Sequence, residues 1–324
     1  MREFAARDCK ATAFAHRNIP GKLAEMECVR VVKVDMGDED STKRAFDEAA
    51  SLGEIHAVVH CAGRASDVGR ASAFKRANYD AVLNTATQAA KHDARFIFIS
   101  TSDVLGITDF DNANESTPLP ARYCSFYPRF KAIAEPRVAE ICGDCGYVIL
   151  RPSAVWGPGD NTIAPRIVKF LRTSPRVIHF GRHRGSNIWG LAYVGNVARA
   201  AYCAAFSQTA TGRIYIVNDE EKTTVDEYYR MLARIFVPEK TAVKTLCLPR
   251  WIGLAIGAAS SSLSWLFNTR QPVFDPSYYG CLHVSANLDF DGSACDAMMR
   301  EMGVEQLTRK EAVEEYRSTE LLKR

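Results

Sequence analysis

Little in this sequence marks a nucleic-acid-binding, fibrous or disordered protein. Its 324 residues include 41 Lys or Arg and 38 Asp or Glu, a net charge of +3 without a sustained basic stripe. Electrostatics therefore give no reason to expect a nucleic-acid partner. Apolar residues at 47% and charged residues at 24% exclude a disordered or collagen-like chain and indicate a globular one.

Signals for export and for metal binding are also missing. The chain opens MREFAARD, without the charged, apolar and small-residue regions of a signal peptide, so its ten cysteines are expected to stay reduced in the cytoplasm. Cys142 and Cys145 form a lone CxxC, and no second Cys or His pair lies at zinc-site spacing. No metal site is expected.

One segment leaves membrane association open. Residues 251–269 carry no charge and approach the length of a bilayer-spanning helix, although three consecutive serines and two glycines weaken that interpretation. Two hypotheses remain: a helix of a substrate-binding lobe, which we favour, and an element that contacts a membrane peripherally.

Short apolar runs alternate with helical patterns through the first half of the chain. This alternation predicts an α/β fold with a doubly wound parallel sheet, because parallel strands need helical crossovers between them. The predicted strands are 10–16, 29–35, 57–62, 95–101, 147–153 and 212–218. The predicted helices are 41–52, 74–91, 128–142, 225–236 and 309–317.

Tyr127 and Lys131 are the main candidates for chemistry. They stand four residues apart on a predicted helix and share one face, where the ammonium is expected to lower the pKa of the phenol. The preceding strand ends in three hydroxyl residues, Ser100, Thr101 and Ser102, which could hold a carbonyl oxygen beside the phenol. A surface Tyr and Lys on an amphipathic helix would show the same spacing.

These residues resemble the Ser/Thr, Tyr and Lys triad of the extended short-chain dehydrogenase/reductase family. The resemblance implies that Thr101, Tyr127 and Lys131 are catalytic and that Asn78 helps to relay protons. It selects Thr101 because the family's hydroxyl lies three residues before a VYG-like triplet, here residues 104–106. Tyr127 would exchange a proton with the substrate, while Lys131 would tune Tyr127 and hold the cofactor's ribose.

Further segments match the family in order and spacing. They are VDMGD (34–38), VVHCAG (58–63), RPSAVWGPGDN (151–161) and NIWGLAYVGNVARAAYCA (187–204). The resemblance implies a nicotinamide cofactor held in a Rossmann-like fold. Besides Tyr127 and Lys131, the residues that it assigns to this cofactor are Asp35, Met36, Cys61, Ala62, Gly63, Pro152, Ser153 and Val155.

The subgroup is indicated by position 154. Nucleotide-sugar epimerases and dehydratases usually carry an asparagine there, whereas Ala154 offers no polar group to a sugar nucleotide. The Arg151-Pro152 pair and the apolar 251–267 segment look like the 3β-hydroxysteroid dehydrogenase group. This resemblance implies an NAD(P)-dependent oxidoreductase that interconverts a secondary alcohol and a ketone on a small-molecule apolar substrate, of the 3β-hydroxysteroid or 3-oxoacyl type.

Two alternatives remain: a nucleotide-sugar epimerase or dehydratase, and a catalytically inactive binding protein of the same fold. The second arises because the sequence contains no GxxGxxG turn for the cofactor's pyrophosphate. Residues 1–17 look like the end of the helix after that turn, followed by the second strand. Relative to the family, the chain is therefore expected to lack roughly one βα half-unit at its N terminus.

The resemblance also predicts how the chain is organised. A Rossmann-like cofactor domain is expected from 1–165 and 187–218, and a smaller substrate lobe from 166–186 and 219–324. A homodimer is expected through helices 74–91 and 128–142, because the first has apolar positions suited to a helix-helix contact. These positions are Ala81, Val82, Ala86 and Ala89.

NADP(H) is predicted over NAD(H), although NAD remains an option. NAD-preferring proteins place an acid after the second strand to bind the ribose 2′-hydroxyl, whereas here His16 and Arg17 follow that strand and no carboxylate appears before Glu25. A guanidinium pairs well with a phosphate through two parallel hydrogen bonds. Arg17 is therefore predicted to bind the 2′-phosphate of NADP.

Overall fold

The computed structural model describes residues 1–16, 23, 25–174, 176–238 and 244–321. The first half has the strands β1 (Ala11–Ala15), β2 (Val29–Lys33), β3 (Ala57–His60), β4 (Arg95–Ile99), β5 (Phe110–Ala113) and β6 (Tyr147–Pro152). Its helices are α1 (Arg2–Ala5), α2 (Glu39–Ala50), α3 (Ala71–Lys75), α4 (Ala81–Lys91) and α5 (Phe126–Ile141). A π-helical turn (Arg76–Asp80) joins α3 to α4, and a 3₁₀ turn (Ser102–Leu105) follows β4.

The second half contains shorter strands and more helix. Its strands are β7 (Ala154–Trp156), β8 (Arg176–Phe180), β9 (Leu191–Tyr193), β10 (Arg213–Val217), β11 (Lys244–Leu248) and β12 (Leu288–Phe290). Its helices are α6 (Ala164–Thr173), α7 (Val194–Phe206), α8 (Val225–Phe236), α9 (Arg250–Leu266), α10 (Tyr278–Ser285), α11 (Ser293–Glu301) and α12 (Arg309–Leu321). Helix α8 begins where predicted because Thr224 and Glu227 form a reciprocal capping box.

The main sheet is parallel, with strand order β10-β6-β4-β3, and β1 pairs with β2 in a separate parallel ladder. The central strands of the main sheet, β4 and β6, are buried on both faces. Phe96, Phe98 and Ile149 pack against α4 and α5, while the alternate residues Ile97 and Val148 pack against α7 and α11. This two-sided burial is the reason that the strands read as continuous apolar runs. The predicted α/β fold with a doubly wound parallel sheet is confirmed.

The helices expected to form a dimer contact instead pack within the chain. Ala81, Val82, Ala86 and Ala89 are each at most 5% exposed, and Val82, Ala86 and Ala89 belong to the core cluster that includes α5 and the sheet. The apolar pattern of α4 is therefore explained by the chain's own core, and it carries no argument for association. A homodimer stays a prediction that the mass in solution tests.

The uncharged segment 251–269 is mainly helical. Helix α9 covers residues 251–266 of this segment, a result that both the substrate-lobe hypothesis and the membrane-contact hypothesis allow. No helix in the described part of the chain combines the length and the hydropathy of a membrane-spanning segment. The division into a cofactor domain and a substrate lobe stays a prediction.

A buried ion pair fixes α5 against the sheet. Glu135 of α5 accepts hydrogen bonds from Nε and Nη2 of Arg151 on β6, at 3.0 and 2.6 Å. The Ser100 hydroxyl, at the end of β4, donates to the same carboxylate at 2.6 Å. Both charged side chains are only 4% exposed, so each depends on the other for its charge compensation.

Replacing Glu135 with alanine should lower the free energy of unfolding by about 3–5 kcal/mol, because Arg151 would be left buried without its partner. Chemical denaturation followed by circular dichroism measures this loss. The matched control is Glu48→Ala, whose partner Arg30 is 54% exposed and whose pairing is worth less than about 1 kcal/mol. Exchanging both Glu135 and Arg151 for methionine should recover most of the stability. A single-variant loss no larger than that of the control would contradict this account.

Candidate active site

The candidate site lies where β3 and β4 end. Thr101 directly follows the last residues of β4 and caps the 3₁₀ turn, its hydroxyl accepting a hydrogen bond from the Asp103 amide at 3.2 Å. The neighbouring hydroxyls of Ser100 and Thr101 have different surroundings. Ser100 donates to Glu135, whereas Thr101 interacts with the phenol of Tyr127. Of the two, Thr101 is the hydroxyl on the side of Tyr127, and its catalytic role stays a prediction.

Helix α5 presents Tyr127, Lys131 and Glu135 at intervals of four residues, on one face. The helix begins at a Ser125 cap, whose hydroxyl accepts from the Tyr127 amide at 3.4 Å. Lys131 is 3% exposed; its Nζ donates to the Ile99 carbonyl at 2.7 Å. One helix face therefore brings the predicted tyrosine and lysine to the end of β4.

The expected lowering of the Tyr127 pKa is wrong for this arrangement. Burial of the phenol raises its pKa well above the ordinary value, and the negative charge of Asp103 raises it further, while the Thr101 interaction acts in the opposite direction. Burial also lowers the pKa of Lys131, to about 8. The i, i+4 spacing shows only the cation, whereas burial of the phenol and, after it, the Asp103 carboxylate on the 3₁₀ turn determine the direction of the pKa shift. Tyr127 is thus a protonated phenol at neutral pH.

Asn78 and the loop after β3 lie against Lys131. Asn78 is fully buried in the π-helical turn, and its side chain exchanges hydrogen bonds with the backbone of Arg64, at 2.9 and 3.2 Å. A Cβ on Gly63 would come within 2.7 Å of Asn78 Oδ1 and 3.5 Å of Lys131 Nζ. Only glycine therefore fits where this loop crosses the two side chains. π-Helical turns of this kind are frequent at functional sites.

The other residues assigned from the 58–63 segment occupy the same loop. Cys61 is exposed and lies close enough to Lys131 to favour the charged ammonium, while Ala62 is half-buried. His60, at the end of β3, is buried beside Phe96 and Phe98. Burial and the Lys131 charge lower its pKa to about 3, which supports the interpretation of His60 as a packed histidine rather than a base.

Asp35 and Met36 follow β2. Asp35 contacts the π-helical turn that carries Asn78, and Met36 contacts helix α4 directly after that turn. Asp35 accepts from Arg76 at 2.8 Å and from the Gly37 amide at 3.0 Å, and the Arg76 hydrogen bond is the main cause of its lowered pKa. The Met36 carbonyl accepts from Asn84 at 3.0 Å. His16, at the end of β1, lies 3.5 Å from Asp35.

The remaining predicted cofactor residues, apart from Arg17, lie at the end of β6, directly after it or on β7. Arg17 lies outside the described residues. Pro152 ends β6 next to β4, and the adjacent Ser153 hydroxyl is buried without a hydrogen-bond partner among the described residues. Val155 is 37% exposed on β7, which pairs with β9 and not with the main sheet.

Sequence reasoning missed a buried carboxylate, Asp103, and its two partners beside the phenol. Asp103 on the 3₁₀ turn accepts a hydrogen bond from the Tyr279 hydroxyl and lies 3.2 Å from His283 Nε2, both on α10. Burial opposes the charge of Asp103, but His283 and Tyr279 together lower its pKa. Burial likewise opposes the charge of His283, and Asp103 outweighs it and raises that pKa. The acid in the STSDVLG run was a visible signal, whereas its partners, far along the chain, gave none.

Comparisons with known proteins identify relatives of this chain. Residues 10–249 match the model of the 3-beta hydroxysteroid dehydrogenase/isomerase family. The 2-alkyl-3-oxoalkanoate reductase of Shewanella oneidensis is 26% identical, over 89% of this chain and 77% of that protein. The 3beta-hydroxysteroid-dehydrogenase/decarboxylase isoform 1 of Arabidopsis thaliana is also 26% identical, over 85% of this chain and 63% of that longer protein.

Solved structures show the same fold at lower identity. The UDP-glucose 4-epimerase of Thermotoga maritima, solved with UDP-glucose, superposes with a TM-score of 0.71 at 18% identity, covering 99% of this chain and 94% of that one. This likeness confirms the Rossmann-like α/β fold and says nothing further about the substrate.

The family match and the named relatives decide the type of reaction. The match covers well over half of the chain, and the relatives are dehydrogenases and reductases acting on hydroxyl or ketone groups. These findings confirm the predicted enzyme class over a binding protein. The chain belongs to the 3-beta hydroxysteroid dehydrogenase/isomerase family and is an NAD(P)-dependent oxidoreductase of the hydroxyl–ketone type.

Proposed function

We propose that this protein interconverts a secondary alcohol and a ketone on a large apolar substrate, with NADP(H) as cofactor. The substrate is of the 3β-hydroxysteroid or 2-alkyl-3-oxoalkanoate type, as in the relatives' names. The observation that carries the proposal is that α5 presents Tyr127 and Lys131 one helical turn apart on one face, with Lys131 Nζ fixed by the Ile99 carbonyl at the end of β4. A cytoplasmic location and contact with a membrane surface belong to the same proposal.

Tyr127 is the proton donor in this proposal. Its raised pKa keeps the phenol protonated at neutral pH, which suits donation to a carbonyl oxygen during ketone reduction. Thr101 holds that oxygen beside the phenol. Lys131, fixed by the Ile99 carbonyl, supplies a positive charge at the end of β4. The nicotinamide supplies the hydride when it is bound.

The residues present fit the nicotinamide end of such a cofactor. Gly63 packs directly against Asn78 and Lys131, and the Ser153 hydroxyl is a buried polar atom without a partner among the described residues. Lys131 would hold the ribose, and Gly63 and Ser153 would line the ring. These contacts, with the additional cofactor residues assigned above, remain part of the proposal.

A small pocket with mixed polar and apolar walls lies next to the candidate site. A cavity of about 210 Å³ adjoins Asp103 and Pro128, the residue after Tyr127. Its apolar walls include Leu105, Ile107 and Leu282. Ala154 adds no polar group that could hold a sugar diphosphate.

The charges near β1 and β2 support NADP(H). Arg76 neutralises Asp35, the acid nearest to His16, and its guanidinium is 55% exposed. The sequence places Arg17 directly after His16. Two guanidinium groups and a neutralised acid favour a 2′-phosphate over a ribose hydroxyl.

Tyr127→Phe should abolish ketone reduction while the protein stays folded, because the ring remains and only the proton donor is lost. Turnover with a 2-alkyl-3-oxoalkanoate or a 3-ketosteroid, followed by cofactor absorbance, measures this. Tyr202→Phe is the matched control, since that ring packs on Phe4 of α1, away from the site. Turnover by Tyr127→Phe at near the rate of the unmodified protein would refute the role of the phenol.

Asp103→Asn should lower the pKa of the Tyr127 phenol, because burial and the Asp103 carboxylate both raise it and the variant removes the second of these causes. The loss of ketone reduction that follows deprotonation of the phenol should therefore move to lower pH, while the separate loss set by Lys131, whose pKa is about 8, should stay in place. Initial rates across the alkaline range measure the shift. Asp109→Asn serves as control, because Asp109 pairs with Arg182 and His183 instead. If the loss of rate that follows deprotonation of Tyr127 stays at the same pH or moves to higher pH, the role given to Asp103 is contradicted.

NADPH should bind more tightly than NADH, and Arg17→Ala together with Arg76→Ala should remove most of the difference, roughly tenfold or more, because the 2′-phosphate loses its charge-assisted hydrogen bonds. Titration of both cofactors by fluorescence measures the two affinities. Arg30→Ala, which removes an exposed arginine paired with Glu48, is the control. Tighter binding of NADH to the unmodified protein would overturn the NADP(H) preference.

A further inference from the structure

Charges are unbalanced where the loop between β3 and α3 meets the segment after α9. Arg166 of α6 pairs with both acids of this contact: Nη1 donates to Asp67 at 2.7 Å, and Nε donates to Asp275 at 2.9 Å. The two other arginines at this place are Arg64 in the loop and Arg270 in the segment. Neither has an acidic partner in the described part of the chain, so two positive charges are left uncompensated.

The backbone of Arg64 is held beside the candidate active site. Its amide donates to Asn78 Oδ1 at 2.9 Å, and its carbonyl accepts from Asn78 Nδ2 at 3.2 Å. Gly63, directly before it, packs against Asn78 and Lys131. The side chain of Arg64 therefore begins at a fixed point next to the proposed catalytic lysine.

The guanidinium of Arg64 has a buried donor without a protein partner. The group lies over the Phe74 ring, 5.2 Å from its centroid, and Nη2 donates to the Val68 carbonyl at 3.3 Å. Nε is buried and has no hydrogen-bond partner among the described residues. A buried N–H group without an acceptor costs free energy, and on a charged group the cost is larger. The geometry therefore suits a ligand that supplies a negative acceptor to Nε.

Arg270 brings a second positive charge to Arg64. Its carbonyl accepts from Ser66 Oγ at 3.0 Å, which joins the segment after α9 to the loop. Burial lowers the pKa of Arg64, and the charge of Arg270 lowers it further. The side chain of Arg270 is exposed and therefore able to turn towards a ligand. An anion bound by both arginines would remove their repulsion and give Arg64 Nε an acceptor.

The substrate is a better source of this anion than the cofactor. Every residue assigned to the cofactor lies in the first half of the chain, whereas Arg270 lies in the predicted substrate lobe. The Phe74 ring under the Arg64 guanidinium contacts the Phe126 ring, with 6.1 Å between the centroids. Phe126 directly precedes Tyr127. The guanidinium is thus linked through one ring pair to the start of the helix that carries the phenol.

We infer that Arg64 and Arg270 bind a carboxylate of the substrate. A carboxylate accepts two parallel hydrogen bonds from one guanidinium and has lone pairs left for the second. The inference rests on the proposed function and narrows it. Of the two substrate types named above, it selects the 2-alkyl-3-oxoalkanoate, which carries a carboxylate, over a neutral 3β-hydroxysteroid.

Binding of an acid that cannot react tests this inference. The full chain, with NADPH present, is titrated by calorimetry with a 2-alkylalkanoate, which has the carboxylate but no ketone, and with its methyl ester. The acid should bind roughly tenfold or more tightly than the ester. Arg64→Gln and Arg270→Gln should each weaken binding of the acid roughly tenfold and leave binding of the ester unchanged. Arg70→Gln, which removes an exposed arginine of the same loop, is the matched control and should bind the acid as the unmodified chain does.

Equal affinity for the acid and the ester, or an equal loss in Arg70→Gln, would overturn the inference. Weaker NADPH binding in Arg64→Gln and Arg270→Gln, with unchanged affinity for the acid, would overturn it as well and assign the pair to the cofactor. Because Arg270 is exposed, Arg270→Gln tests the site even where loss of Arg64 disturbs the loop. None of these measurements requires turnover, so a chain that binds the acid but reduces no ketone refutes only the proposed function.

Discussion

The buried carboxylate of Glu135 is the constraint on which the site depends. It joins α5 to the Ser100 end of β4 and to Arg151 of β6, and it stands on the same helix face as Lys131 and Tyr127. Because the carboxylate has partners on two strands, α5 cannot rotate or slide without leaving a buried charge uncompensated. Glu135, two helical turns beyond Tyr127, therefore fixes the position of the phenol at the edge of the sheet.

The charge balance around the phenol is the second determinant of function. The i, i+4 spacing brings Tyr127 and Lys131 to one place, yet burial and Asp103 decide the protonation state. Asp103 is in turn held by Tyr279 and His283, which come from the C-terminal half of the chain. The two halves of the protein therefore meet at a carboxylate that adjoins the reacting group.

Much of the first half could be predicted from sequence because buried parallel strands and their helices have clear apolar patterns. Strands β3, β4 and β6 lie within two residues of their predicted ends, and Thr101, Tyr127, Lys131 and Asn78 come together as the resemblance implied. The short strands β7, β9 and β12 have only three residues and no period to detect. Glu135 and His283 were missed because their partners are brought close by tertiary packing alone.

The central claim is that hydride passes from a nicotinamide to a ketone carbon while Tyr127 supplies the proton. The most direct test uses NADPH deuterated on the transferring face of C4 of the nicotinamide, with a 2-alkyl-3-oxoalkanoate or a 3-ketosteroid, and mass spectrometry of the product. The account predicts one deuterium on the new carbinol carbon. An alcohol product without deuterium, or oxidation of the cofactor without formation of an alcohol, would contradict it.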